Sequence, residues 1–101
     1  MKKIIENLNK AFDNRVRLGI MSVLMVEDWV DFSTLKETLD LTDGNLASHL
    51  TALEKEHYIE FRKQFVGRKP QTSYQTTAAG RTAFIEHLDA LEAILKNNFK
   101  K

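Results

Sequence analysis

Leu41-Thr42-Asp43-Gly44-Asn45-Leu46-Ala47-Ser48-His49-Leu50-Thr51-Ala52-Leu53-Glu54 reads as a capped helix with one apolar side and one side of short polar groups. Leu46, Leu50 and Leu53 stand at i, i+4 and i+7, a stripe that must face a core. Asn45, Ser48 and Ala52 lie on the other side. A solvated helix ordinarily fills such positions with Lys and Glu. Asn, Ser, Thr and His are instead groups that pair with adenine or accommodate a thymine methyl in a major groove.

Outward from this helix, both neighbours constrain the fold. Upstream, Ser33 is expected as the N-cap of a helix over Thr34 to Leu39, with Leu35 and Leu39 inward. Asp40 and Leu41 then form a short turn, and Thr42 caps the next helix. Downstream, Tyr58-Ile59-Glu60-Phe61-Arg62-Lys63-Gln64-Phe65-Val66 places Ile59, Phe61 and Phe65 on one face at period two, as a half-buried strand does. Gly67-Arg68-Lys69-Pro70 supplies turn residues, and Thr72 to Thr76 resumes an extended pattern, so the two segments should pair as a hairpin. Arg62, Lys63, Arg68 and Lys69 are four cations within eight positions that hold no acid, a bias hidden by the net charge of +1.

A helix-turn-helix followed by a basic hairpin resembles the winged-helix transcriptional regulators, close to the MarR and ArsR types and their short single-domain relatives. The likeness is carried by Asn14-Arg15-Val16-Arg17-Leu18-Gly19-Ile20-Met21, by residues 41–50, by the Gly67-Arg68-Lys69-Pro70 wing and by Thr76-Thr77-Ala78-Ala79-Gly80-Arg81. It spans nearly the whole chain. It implies a mainly α protein with a small β-hairpin, an α+β winged helix-turn-helix with terminal helices for dimerisation. On this reading residues 1–101 are one domain: helix-turn-helix at about 33–56, wing at about 58–76 and dimerisation helix at about 78–98. Such regulators bind operator DNA as dimers and change expression when a signal alters that binding. Many relatives carry Gly where this chain has His57. His is among the few non-Gly residues enriched at positive φ, so His57 is read as structural.

The resemblance and the residues together give a division of contacts. Thr42, Gly44 and Asn45 at the N-terminus of the recognition helix suit a phosphate. Asn45 and Ser48 are the main candidates for base edges, with Thr51 and Lys55 further round. His49 sits roughly 70° from the centre of the Leu stripe at 100° per residue, and either packs at the domain edge or reaches DNA. Arg68 and Lys69 at the wing tip should enter or straddle the minor groove, with Arg62 and Lys63 on phosphates beside it. Arg15 and Arg17 are weaker candidates.

The ends read as dimerisation elements. Phe84, Leu88, Leu91 and Leu95 step by +4, +3 and +4, a coiled-coil seam that Ile85 and Ile94 widen and Phe99 extends. Ile4, Ile5, Leu8, Ala11 and Phe12 form a second stripe. The helix carrying Val16, Leu18, Ile20, Met21, Leu24 and Met25 is apolar around much of its circumference and should be the buried spine. A chain of 101 residues with 43% hydrophobic content leaves little domain to cover both stripes, so the ends are expected to pair with a second copy around a two-fold axis.

Other classes find few residues to rest on. The chain has no cysteine, which removes disulfides, thiolate chemistry and Cys-ligated metal sites. It has no Ser-His-Asp order, Gly-rich phosphate loop or His-Glu-x-x-His helix, so no catalytic residue, metal or cofactor is assigned. His87, Asp89 and Glu92 are the nearest metal set, but His87 and Asp89 point nearly opposite ways on a helix. The start turns charged too soon for a secretory signal and no apolar run suits a membrane, so the cytoplasm is expected. MarR-type relatives often bind small aromatic ligands, yet nothing here specifies a pocket, and any effector stays open. The competing function is a protein-interaction adaptor without DNA binding, suggested by Glu27, Asp28, Asp31, Glu37, Asp40 and Asp43 before the recognition helix.

Overall fold

The computed structural model describes residues 5–99, and side chains for residues 5–96. Ile4 and the Phe99 side chain, both expected at the dimer contact, lie outside the described residues. The elements run as a 3-10 turn (Lys10–Phe12), α1 (Arg15–Val26), β1 (Val30–Asp31), α2 (Phe32–Leu39), α3 (Asp43–Lys55), β2 (Ile59–Val66), β3 (Lys69–Thr76) and α4 (Ala78–Phe99). The strands form one antiparallel sheet in the order β1-β3-β2.

The helices start where short polar side chains take up orphan backbone donors. Asn14 Oδ1 accepts from the Val16 and Arg17 amides at 2.9 and 3.1 Å and opens α1. α2 begins two residues earlier than the sequence suggests, because Asp31 and not Ser33 is its cap. Asp31 accepts the Thr34 amide and, at 2.7 Å, the Thr34 hydroxyl. That hydroxyl holds the Asp31 carboxyl below the usual carboxylate range. β1 delivers Asp31 to this position by pairing it with Ser73. Asp40 ends α2 in the left-handed region at φ 54°, where a short polar side chain is tolerated, and the Leu41 amide donates back to Lys36 O at 3.0 Å.

One core serves helices and sheet alike: Phe12, Ile20, Met21, Leu24, Leu35, Leu46, Leu50, Leu53, Ile59 and Phe84 are all buried. Phe12 lies at its centre, with Phe84 edge-on at 5.2 Å and Tyr58 tilted at 5.3 Å between ring centroids. This overturns one expected interface residue. Phe84, 4% exposed, belongs to the core of its own chain and is not available to a second copy. α4 turns Gly80, Phe84, His87 and Ala90 inward, while Ile85, Leu88, Leu91 and Leu95 stay on the surface.

The hairpin also departs from expectation. Its turn is the two residues Gly67 and Arg68, with Gly67 at φ 66°, and Lys69 and Pro70 already belong to β3. Pro70 is tolerated there because β1 reaches only Ser73 and Tyr74, leaving β3 an edge strand nearer the tip. Ile59 is 3% exposed, but Phe61 on the same face is 49% and Phe65 74% exposed, because the hairpin outruns the body.

Candidate nucleic-acid interface

α3 holds its polar side open by burying the opposite one. Leu46, Leu50 and Leu53 are sealed in the core, whereas Thr42, Gly44, Asn45, Ser48, Thr51 and Lys55 are exposed. Thr42 Oγ1 accepts the Asn45 amide at 3.2 Å, as an N-cap should. That donor is therefore occupied. Asp43, at the first position of the helix, pairs with Lys36 Nζ at 2.9 Å, where a carboxylate also complements the helix dipole. A Cβ placed on Gly44 would meet nothing within 4 Å, so the backbone there is open to close approach. Thr51 turns its hydroxyl back onto Ala47 O at 3.0 Å, which uses its donor and leaves oxygen lone pairs outward.

His49 is half-buried and turned toward α1, where its Nδ1 accepts from Arg17 Nε at 3.2 Å. Arg17 also donates to Ala11 O at 3.3 Å. Of the two places open to His49 in the sequence, the ring occupies the domain edge. The His49 contact spans 32 residues and has no sequence signal.

The wing presents Arg62, Lys63, Arg68 and Lys69 as exposed residues, but on different faces. Lys63 shares the face of Phe61 and Phe65. Arg62 is on the reverse face, with its guanidinium 4.3 Å from the Trp29 ring centroid. Arg62 and Lys63, both expected on phosphates beside the minor groove, thus point to opposite faces of the hairpin. Arg62 fastens the wing root to the segment before β1, and Trp29 is a contributor the sequence did not reveal.

A second missed residue is Asn9. Its amide N–H donates to His87 Nδ1, its Nδ2 donates to the Tyr58 hydroxyl and its Oδ1 accepts from the Ala11 amide, each near 3 Å. His87, buried against Phe12, is therefore turned away from Asp89 and Glu92, which lie exposed. At the other end of α3, His57 adopts φ 62°, the left-handed corner anticipated for it. Its carbonyl accepts from the Thr77 hydroxyl at 2.7 Å.

Both His49 and His87 sit below the ordinary histidine range: burial is the main cause in each, reinforced by Arg17 at His49 and opposed by Asp13 at His87. Above about pH 6.5 neither folded nor unfolded chain is charged at these rings, and their contribution is complete. As pH falls, the unfolded chain takes up protons that the folded chain resists, so stability declines. Thermal unfolding should show Tm falling as pH drops below about 6.5, with the decline shallower in His87→Gln. Parallel wild-type and variant profiles would contradict this.

Chains of known fold give the arrangement its context. The winged helix DNA-binding domain family model matches residues 16–95. An uncharacterised protein of Methanocaldococcus jannaschii is 35% identical over 88 residues, covering 87% of this chain and 96% of its own. A transcriptional regulator homologue from Pyrococcus horikoshii superposes with a TM-score of 0.88 at 31% identity, covering 98% of this chain and 99% of the other. The overoxidised AbfR bound to DNA shares the fold at a TM-score of 0.72 and 17% identity, over 89% of this chain and 70% of its own. Among the described residues no helix is long and apolar enough to cross a membrane. The open polar side of α3, the basic hairpin and this extent of match agree: the chain belongs to the winged helix DNA-binding domain family.

Proposed function

We propose that the whole chain acts as one domain that reads a specific operator as a homodimer, with α3 in the major groove and the wing at the minor groove of each half-site. The exposure of Gly44, Asn45, Ser48, Thr51 and Lys55 opposite three buried leucines is the observation that carries this reading. Asn45 and Ser48 read base edges. Thr42, Gly44, Thr51 and Lys55 approach phosphates, and Arg68 and Lys69 enter the minor groove. Such work belongs in the cytoplasm.

Dimerisation is supported by the apolar surface left at the ends. Leu88, Leu91 and Leu95 are exposed along α4, and Ile5 is 65% exposed. Leu91 also borders an open groove of about 910 Å³ that Ile5, Leu8, Phe12 and Leu18 help to line. A second copy packing its own α4 here covers both stripes at once and sets the two recognition helices about one turn of DNA apart, near 10 base pairs.

The test is operator selection from a random duplex pool, followed by affinity measurements on variants of the selected site. Asn45→Ala should flatten the preference among base substitutions by about 1 to 3 kcal/mol at one position per half-site while keeping the salt dependence. An unchanged preference removes Asn45 from base reading. A wild-type protein with no salt-dependent retention on duplex DNA would instead favour the protein adaptor.

A further inference from the structure

The most exposed aromatic ring among the described residues lies in the segment richest in cations. Phe65 is 74% exposed near the tip of the wing, opposite Pro70 across the hairpin, with Val66 beside it at 55%. It shares a sheet face with Ile59, which packs against the helices, so it overhangs the helical side of the domain. Lys63 stands between Phe61 and Phe65 on that face, and Arg68 and Lys69 follow in the turn and the start of β3. Between Glu60 and Glu86 the chain has no acid.

An apolar wing tip whose own residues carry only positive charge fits one kind of partner: an anionic wall around a less polar slot. A second copy would bring identical cations against these. The minor groove supplies phosphate walls, and its base steps admit apolar wedges such as Phe, which partly unstack them and kink the duplex. Pyrimidine–purine steps, TA above all, yield most readily. Resting on the DNA-binding reading above, we propose that Phe65 is a wedge that leans into a flexible TA step of the minor groove and kinks the DNA toward its major groove. It makes no hydrogen bond and reads deformability, a source of specificity separate from Asn45 and Ser48.

The probes are two duplexes of 40 base pairs and equal charge, one alternating dA-dT and rich in TA steps, the other a dA tract paired with dT. Full-length wild type should prefer the alternating duplex and bring dyes on its two ends closer together. Phe65→Ala should lose about tenfold in affinity on the alternating duplex, abolish the dye approach and change little on the tract. Its salt slope should match wild type, since no phosphate contact is lost, and its Tm should be unchanged because the ring packs on little. Equal binding by wild type and Phe65→Ala overturns the wedge, as does a loss shared equally by both duplexes. A shift in solution mass in place of DNA affinity overturns it in favour of a contact between copies. Failure of wild type to bind either duplex removes the DNA-binding reading itself, a different result from a variant that binds normally.

Discussion

Gly80→Ala should lower stability by about 3 kcal/mol, a fall in Tm of roughly 15 °C for a domain of this size. The residue looks harmless in the first turn of α4, where Ala is ordinarily the better helix former. Its surroundings decide otherwise. An added Cβ would run into the backbone carbonyl oxygen of Tyr58 and would sit 2.7 Å from Thr76 Oγ1. That carbonyl is fixed, because it accepts from the Thr77 amide at 3.0 Å and the Thr76 hydroxyl at 3.1 Å. The Gly80 amide is itself held by Thr77 Oγ1 at 2.9 Å. The methyl can be accommodated only by moving α4 away from the corner that links α3 to the wing. Gly44→Ala is the internal comparison: its Cβ meets open space, and stability should be unchanged or higher by up to about 1 kcal/mol. Chemical denaturation of both variants measures the contrast. Equal unfolding free energies would show that the corner is softer than its hydrogen bonds indicate.

The largest effect on DNA binding is expected from Arg68→Ala combined with Lys69→Ala. Both side chains are exposed at the wing tip, and no ion pair among the described residues engages them. In the proposed dimer the pair of substitutions removes four cations, so the slope of log affinity against log salt should fall by about 3 to 4. Affinity at low salt should drop about a hundredfold on every duplex alike, because phosphate contacts position without reading. Arg62 is a weaker target, since its guanidinium already lies over Trp29. A salt titration by fluorescence anisotropy decides the matter. An unchanged slope would take the wing off the DNA.

Much of this architecture was legible because it is local. The stripe of Leu46, Leu50 and Leu53 fixes the orientation of α3, and Thr42 and His57 mark its ends through backbone chemistry that any sequence reading can apply. The Asp31 cap is illegible for a non-local reason. Asp31 and Ser33 are both good caps, and the choice belongs to β1, a strand of two residues whose partner lies some forty positions away. Phe84 belongs to the expected dimer seam by its spacing yet is buried in its own chain, because a heptad pattern tells which residues share a face but not where the body ends. Phe61 and Phe65 erred the opposite way, since period two gives the face of a strand without the extent of the core. The contacts of Asn9 with His87 and Tyr58, and of Arg17 with His49, join elements distant in sequence and leave no trace in local pattern.

Asn9 gives the terminal segment a mechanical role. It grips α4 through His87 and the root of the hairpin through Tyr58, so a displacement at the chain's end is delivered to the base of a lever eight residues long. At about 3.3 Å per residue that arm reaches roughly 25 Å, and a tilt of about 5° at its foot carries the tip roughly 2 Å sideways. Under the proposed pairing, imperfect alignment of two subunits is therefore magnified at the tip while α3, seated in the body, hardly moves. On that pairing, tolerance to altered half-site separation is set by the arm, which loses its grip first.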